Sequence, residues 1–297
     1  MPETNEPSQA EVVPVDAATL IALRDEPEAG SFSAFFVQRS QKSRFMGGLV
    51  VFPGGKVDEA DRDPAWRALC TDPRLPPGGR DNDGGADEDG WRALGIAACR
   101  EALEEAALLP ATRAAGAFDH AALLALRGRI EAGAAFRALA AEAGLRLDLD
   151  TLHPWSRWIT PRNQSKRFDT RFFVARAAPG QEGAHDGHET IASFWATPKD
   201  VLARFEAGSI ELAPPTHRTL ELLAEMTKVE QVLAAAEHAS LAILCPEVVR
   251  HTDVSGETVA LTLPGDPEHS VREVRIPGRS RYVLRSGAWR PESPPPR

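Results

Sequence analysis

Three glutamates in the segment Arg100–Glu105 (REALEE) have a spacing that could hold a metal ion. At about 100° per residue, Glu101, Glu104 and Glu105 fall within about 100° of one another on one helix face. Like charges at these spacings repel by a few tenths of a kcal/mol, and a cation between them would turn that cost into binding. Carboxylate oxygens suit hard ions such as Mg²⁺ or Mn²⁺. An ordinary solvated acidic face is the alternative for this segment taken alone.

The rest of this helix and a turn before it would position the carboxylates. Apolar residues repeat at i, i+3, i+4 and i+7, which predicts a buried face formed by Cys99, Ala102, Leu103 and Ala106. Upstream, the sequence FPGG at 52–55 closes a predicted strand, and Gly54 and Gly55 allow the backbone to approach a ligand closely. Each piece alone is ordinary, but a strand, a PGG turn and an RExxEE helix in this order form a specific signal.

Periodicity along the rest of the chain predicts a mixture of strands and helices. Short runs rich in aromatic and β-branched residues predict strands at 31–39, 48–52, 168–176 and 189–196. Helical patterns occur at 91–109, from Thr197 to Gly208, at 217–238 and within a small insert at 111–150. Residues 62–90 have the Pro, Gly and Asp content of a loop, and 241–282 contain short β-like runs.

Charge and composition restrict the function classes. The chain has 297 residues and a net charge of -9, from 34 basic and 43 acidic side chains. This balance argues against extended binding to nucleic-acid phosphates, but it allows small phosphorylated substrates if a metal ion supplies positive charge. No long apolar run and no signal-peptide pattern occurs, so we expect no membrane span. Three cysteines without CxxC spacing fit free thiols, and we expect a cytoplasmic protein.

The ordered glycine turn and acidic helix resemble the Nudix family, whose box reads G-x5-E-x7-R-E-U-x-E-E-x-G-U, where U is bulky and apolar. The positions that fit this pattern are Gly55, Arg100, Glu101, Glu104, Glu105 and Leu108. Asp61 stands where the first glutamate belongs, Ala107 replaces the late glycine, and Ala102 is small for its position. In addition, 38 residues separate Asp61 from Arg100 instead of seven. The insertion leaves the helix and the turn intact.

A narrower resemblance is to coenzyme A diphosphatases. Arg39-Ser40, Arg44, Gly48 and the FPGG sequence are similar to the motif that precedes the box in those enzymes. The peroxisomal-type members with an inserted box are also similar further downstream, at 155–161 (WSRWITP), 167–173 (RFDTRFF) and 212–216 (LAPPT). The resemblance covers roughly residues 10–228.

The Nudix resemblance implies an α/β/α sandwich, in which a mixed sheet lies between helices, with a helical insert and a small β-rich C-terminal appendage. We expect a disordered arm at 1–14 and a Nudix hydrolase domain at 15–228, with a loop insertion at 62–90 and the helical insert at 111–150. Residues 229–297 would form a helix and a small β-rich C-terminal region.

The resemblance also implies roles for individual residues. Glu101, Glu104 and Glu105, with the Gly55 carbonyl, would hold Mg²⁺ or Mn²⁺, and Arg100 would orient the glutamates through ion pairs. A proton acceptor is expected among Glu189 and the box glutamates. The substrate-binding candidates are Gly54 and three arginines that match phosphate geometry, namely Arg39, Arg44 and Arg171.

The implied reaction is hydrolysis of the diphosphate of coenzyme A or an acyl-coenzyme A to phosphopantetheine and adenosine 3′,5′-bisphosphate. One alternative is a Nudix diphosphatase for ADP-ribose or dinucleotides, and another is a catalytically silent Nudix-fold binding module. Silent modules usually lose the box glutamates, and all three are present here. The expected partner is a small-molecule nucleotide diphosphate, with neither nucleic acid nor membrane, and a homodimer is left open.

Overall fold

A computed structural model describes residues 12–294 apart from 27, 29, 43–46, 77–85, 114–117 and 254–255. Its strands are β1 (Val15–Glu26), β2 (Ser31–Arg39), β3 (Val50–Val51), β4 (Gly54–Lys56), β5 (Ala111–Arg113), β6 (Leu145–Leu147), β7 (His153–Ile159), β8 (Phe168–Arg176), β9 (Thr190–Ala196), β10 (Glu247–Asp253), β11 (Gly256–Thr262), β12 (Arg281–Arg285) and β13 (Ala288–Glu292). Its helices are α1 (Glu88–Ala106), α2 (His120–Glu131), α3 (Phe136–Glu142), α4 (Pro198–Glu206), α5 (Pro214–Leu223) and α6 (Val229–Ala236).

The centre of the fold is a mixed seven-stranded sheet built around β1. β1 pairs in parallel with β8 and antiparallel with β2 and β4. β2 also carries β3 and β9, and β7 lies at the other edge, next to β8. Neither β1 nor β7 is among the predicted strands. The middle of β1, from Ala17 to Leu23, is buried apart from Thr19, and its apolar residues follow one another with little polar alternation, as is typical of a strand covered on both faces.

Helices cover both faces of the sheet. Along β1, Ala18 and Leu20 point into a core that contains α1, α2 and α3. The next residues in the alternation, Ile21 and Leu23, point into a second core that contains α4, α5 and α6. The period of two in a strand therefore divides the apolar side chains between two layers, and the predicted α/β/α sandwich is confirmed.

The helix α1 carries the REALEE segment, and both of its ends differ from the prediction. It starts three residues before Trp91, because the Asp87 side chain accepts a hydrogen bond from the Gly90 N–H and caps the first turn. It ends at Ala106, before the predicted Leu109. Ala107 then adopts a left-handed conformation with φ 50°. This conformation normally favours glycine, and the late glycine of the Nudix box is the residue that Ala107 replaces.

The predicted loop at 62–90 contains a short 3-10 turn and ends earlier than predicted. Pro64–Ala68 form a 3-10 turn in which Trp66 is buried against Phe136. At the other end, residues 88–90 belong to α1. Residues 77–85 lie outside the described part of the chain. The apolar contact of Trp66 is a tertiary interaction, which the local Pro, Gly and Asp content does not encode.

Two helical predictions also need correction. The insert at 111–150 contains α2 and α3, but its ends pair as a two-stranded sheet of β5 and β6. The predicted helix 217–238 is two helices, α5 and α6. It is interrupted because the Val229 N–H donates to Asp25 on β1, and the Gln231 side chain accepts from the N–H groups of Thr227 and Lys228.

The C-terminal region packs against the second layer of helices. β10 to β13 form a four-stranded antiparallel sheet, in agreement with the predicted β-rich region. Its Tyr282 hydroxyl lies 3.0 Å from Nδ1 of His217 on α5, and Arg290 binds both carboxylate oxygens of Glu211. The last strand, β13, extends to Glu292.

The remaining predictions concern the N-terminal arm and the membrane. Residues 1–11 lie outside the described part, and the carbonyl of Val12 accepts a hydrogen bond from Arg167 at 2.8 Å. In the part of the chain that the structure describes, no helix has both the length and the apolar content needed to cross a bilayer.

Candidate active site

Arg100 is the centre of the acidic cluster on α1. Its Nε and Nη2 donate to the Asp61 carboxylate, at 3.1 Å to Oδ1 and 3.0 Å to Oδ2. Its Nη1 donates to Glu101 at 2.8 Å and to Glu104 at 3.4 Å, while Nη2 also donates to the Lys56 carbonyl at 2.9 Å. One buried guanidinium therefore connects β4, the turn that holds Asp61, and two of the three glutamates.

The two glycines of the PGG turn lie directly against the glutamates. The Gly54 N–H donates to Oε2 of Glu105 at 3.0 Å. A Cβ on Gly55 would lie 2.4 Å from Oε1 of Glu101, and a Cβ on Gly54 would lie 2.5 Å from the Ala18 carbonyl oxygen. At Gly54 the clash would be with backbone, so only glycine allows this approach, whereas a side chain at Gly55 would displace the Glu101 carboxylate. The Gly54 N–H is thus engaged by Glu105, and the substrate contact of Gly54 stays a prediction.

Arg39, at the end of β2, connects the helix to the segment before β9. Its Nη1 lies 3.4 Å from Oε1 of Glu105, and its Nη2 lies 3.6 Å from Oε2 of Glu189. The Glu105 side chain is only 6% exposed, whereas that of Glu189 is 70% exposed. The structure therefore brings Glu189 close to the box glutamates through Arg39, and the phosphate contact of Arg39 stays a prediction.

Burial and mutual repulsion disfavour the ionised forms of the carboxylates in this cluster. Loss of hydration raises the pKa of Glu105 to about 8, and the charges of Glu101 and Glu189 add to this. Loss of hydration likewise raises the pKa of Glu101 to about 7, with Glu104 contributing, although Arg100 opposes the shift. The pKa of Glu104 is also raised by burial. The cluster would consequently gain stability from an added cation.

The residues fit a divalent ion by their chemistry. Five carboxylates are gathered around the two guanidinium groups of Arg39 and Arg100, and they belong to Asp61, Glu101, Glu104, Glu105 and Glu189. All are hard oxygen donors of the type that Mg²⁺ and Mn²⁺ prefer. Among the described residues, no three Asp, Glu, His or Cys side chains already converge at one point as metal ligands. The glutamates instead bind arginine or a backbone N–H, so metal binding requires them to exchange some of these partners.

Of the other two predicted phosphate contacts, the structure describes only Arg171. Arg44 lies outside the described residues. Arg171, on β8, is buried and its Nη1 binds the carboxylates of Asp16 and Asp169 at 3.3 and 2.9 Å. It therefore stabilises the sheet, and its prediction as a phosphate contact is wrong. β1 and β8 are parallel neighbours, and this pairing, which no local pattern showed, places Asp16 beside Asp169.

Sequence comparison identifies a family model and curated proteins that are similar to this chain. A family model described as the NUDT19 Nudix domain matches residues 81–223. The acyl-coenzyme A diphosphatase NUDT19 of Gallus gallus is 32% identical over 222 residues, which are 62% of this chain and 59% of that protein. The Homo sapiens protein of the same name is 29% identical over 242 residues, or 69% of this chain and 64% of the relative. The chain thus spans about three fifths of the length of these curated relatives.

Comparison with solved structures supports the same family. The crystal structure of a NUDIX hydrolase from Alicyclobacillus acidocaldarius superposes with a TM-score of 0.61 at 29% identity. The superposition covers 76% of this chain and 97% of the Alicyclobacillus acidocaldarius chain. The family match, the relatives, the sandwich fold and the glycine turn against the RExxEE helix agree with one another. The chain is therefore similar to Nudix hydrolases in both sequence and fold.

Proposed function

We propose that this chain is a divalent-metal-dependent diphosphatase that hydrolyses coenzyme A or an acyl-coenzyme A. The products would be phosphopantetheine, or its acyl derivative, and adenosine 3′,5′-bisphosphate. The observation that carries the proposal is the acidic cluster of α1, with its glutamates held between Arg100, Arg39 and the Gly54–Gly55 turn. The names of the relatives, acyl-coenzyme A diphosphatase, support the substrate class.

The metal would be Mg²⁺ or Mn²⁺, held by Glu101, Glu104 and Glu105 with the Gly55 carbonyl. Such an ion neutralises the charge of a diphosphate and makes a bound water more acidic. Arg100 holds Glu101 and Glu104 on the correct side of the helix through its hydrogen bonds. It is itself fixed by Asp61 and the Lys56 carbonyl, so Arg100 would stay beside these carboxylates when a metal ion replaces some of its hydrogen bonds to them.

Glu189 is our candidate for the proton acceptor. In the proposed reaction a water oxygen forms a bond to one phosphorus, the bridging P–O bond breaks, and the proton of the water moves to a carboxylate. Glu189 is exposed to solvent, so a substrate water can reach it, and Arg39 keeps it near Glu105. The box glutamates are surrounded by Arg100, Arg39 and the glycine turn, which leaves Glu189 as the most accessible of these carboxylates.

A substrate panel tests the proposal directly. The full chain would be assayed with Mg²⁺ and with Mn²⁺ on coenzyme A, an acyl-coenzyme A, ADP-ribose, NADH and diadenosine polyphosphates. We expect the highest kcat/KM on coenzyme A or its thioesters. A clear preference for ADP-ribose would contradict coenzyme A as the substrate but would still fit a Nudix diphosphatase. No turnover of any diphosphate would favour the silent binding module.

The cellular context is part of the same proposal. We expect a cytoplasmic enzyme, which fits three free thiols, at Cys70, Cys99 and Cys245. Two of these thiols, Cys70 and Cys99, are buried in the fold. Light scattering of the purified chain would decide between a monomer and the homodimer.

A further inference from the structure

The β8–β9 loop (residues 177–189) ends at Glu189, and one of its side chains binds the backbone just beyond α1. Gln181 is 5% exposed. Its side-chain oxygen accepts a hydrogen bond from the Leu109 N–H at 2.9 Å, and its Nε2 donates to the Leu109 carbonyl at 3.0 Å. A single side-chain amide therefore satisfies both polar groups of a buried residue, and it joins the loop to the end of the helix.

The residues after Gln181 are held to three different elements. The Ala184 N–H donates to the Ala106 carbonyl, in the last turn of α1, at 2.7 Å. Arg127 of α2 donates to the carbonyls of Ala184 and His185 at 2.7 and 3.2 Å. Gly183 has φ +75°, and a Cβ there would lie 2.2 Å from the ring of Phe35 on β2. The first half of the loop is therefore fixed against α1, α2 and β2.

The other end of the loop reaches the acidic cluster. The Glu189 carbonyl accepts a hydrogen bond from the Ser40 N–H at 2.8 Å, and its carboxylate contacts Arg39. Arg39 in turn contacts Glu105, which directly precedes Ala106. The loop thus contacts the last turn of α1 at Ala106 and the backbone beyond the helix at Leu109, and it contacts the acidic cluster at Glu189. A change in how the loop sits on the helix end would shift Glu189 relative to Glu105.

We propose that Gln181 is a positioning residue that keeps the Glu189 carboxylate beside the carboxylates of α1, where it can accept a proton. The inference rests on the proposed function, in which Glu189 accepts a proton. Loss of the Gln181 bonds should move the loop but leave the glutamates of α1 in place. The effect should therefore fall on kcat, because a misplacement of about 1 Å can cost on the order of 10²-fold in rate.

The main test replaces Gln181 by methionine, which keeps the volume of the side chain and removes both hydrogen bonds. We expect Gln181→Met to lower kcat by about 10- to 100-fold with KM changed by less than about twofold. The matched control is Gln231→Met. The Gln231 amide also accepts backbone N–H groups, from Thr227 and Lys228, but on the layer of helices opposite α1. We expect this variant to keep wild-type kcat.

A double-mutant cycle separates positioning from a general loss of structure. In a Glu189→Gln background, Gln181→Met should cause little further loss, because the group it positions no longer accepts a proton. Any of three results would overturn the inference. The two single-variant losses in kcat could multiply in the double variant, Gln181→Met could keep a wild-type kcat, or Glu189→Gln could keep a wild-type kcat. If Gln181→Met does not fold, Arg127→Met removes the second anchor of the loop and is judged by the same criteria.

Two further measurements separate this inference from the proposed function. Deuterium uptake by peptides covering 182–189 should rise in Gln181→Met and not in Gln231→Met, and equal uptake would contradict the anchoring role. Glu104→Gln tests the diphosphatase itself. If Glu104→Gln is inactive and Gln181→Met is fully active, only the positioning role fails, whereas a wild-type chain without turnover means that the proposed function fails.

Discussion

Arg100 and Asp61 lie 39 residues apart in the sequence and form a buried two-pronged ion pair. Asp61 occupies the position of the first glutamate of the Nudix box, and its Oδ2 also accepts the Asp58 N–H at 2.9 Å. The long insertion therefore leaves the two halves of the box in contact. Aspartate is shorter than glutamate but still reaches Arg100, because Asp61 sits on a 3-10 turn that directly contacts α1.

The first prediction follows from this pair. Asp61→Ala would leave the Arg100 guanidinium buried without its main partner, and we expect the free energy of unfolding to fall by about 3–5 kcal/mol. Urea denaturation measures this. The matched control is Asp58→Ala, because Asp58 is half-exposed and lies 3.8 Å from Arg100. It should cost less than about 1 kcal/mol, and equal losses in the two variants would contradict the assignment.

The second prediction concerns the metal. Glu104→Gln and Glu105→Gln should each lower kcat by at least about 100-fold, which corresponds to about 2.7 kcal/mol of transition-state stabilisation. Both should bind Mn²⁺ more weakly in a calorimetric titration and keep their far-UV circular dichroism. Glu88→Gln is the control, since Glu88 lies in the first turn of the same helix and pairs with Arg92. Near wild-type turnover in either test variant would remove that glutamate from the metal site.

Features encoded by short-range patterns could be predicted from the sequence. The acidic and apolar faces of α1 follow from helical periodicity, and the strands β2 and β8 have the predicted bounds. The helical pattern predicted from Thr197 agrees with α4, whose first turn is capped because the Thr197 hydroxyl accepts a hydrogen bond from the Asp200 N–H. These features depend on residues within a few positions of one another, so one chain segment contains all of the information.

Features that depend on distant residues could not be predicted in this way. The contact of Arg39 with both Glu105 and Glu189 requires β2, α1 and β9 to be assembled. Gln181 has no recognisable motif, and its role depends on where α1 ends. The break between α5 and α6 depends on Asp25 of β1, which binds the Val229 N–H. In each case a tertiary contact overrides or adds to the local propensity.

The third prediction is a pH dependence of stability. Burial lowers the pKa of His217 to about 4, and Arg218, Arg279 and Arg290 add to this, whereas Glu206 opposes it. Its ring Nδ1 also lies near Tyr282 and, at 3.4 Å, Glu221. Because the folded pKa is below the unfolded value, the unfolded chain binds more protons, and stability is lost as pH falls from about 6.5 towards 4.

The size of this effect can be measured by denaturation across that pH range. A pKa lowered from 6.5 to about 4 corresponds to a loss of up to about 3 kcal/mol by pH 4. His217→Gln should show a flatter profile over this range, since glutamine does not titrate. Tyr282→Phe is the companion variant and should keep the pH dependence while losing the hydrogen bonds of the hydroxyl to His217 and Pro214. Parallel profiles for the wild type and His217→Gln would contradict the prediction.

The last prediction concerns selection of the substrate and uses Arg44, whose sequence motif places it just before the FPGG turn. Coenzyme A has a 3′-phosphate that dephospho-coenzyme A lacks, and a charge-assisted contact to it is worth roughly 1.5–3 kcal/mol. Arg44→Ala should therefore lower kcat/KM for coenzyme A by about 10- to 100-fold and change that for dephospho-coenzyme A far less. Arg129→Ala is the control, because Arg129 is exposed on α2 and pairs with Glu142. Equal losses on both substrates would show that Arg44 does not contact the 3′-phosphate.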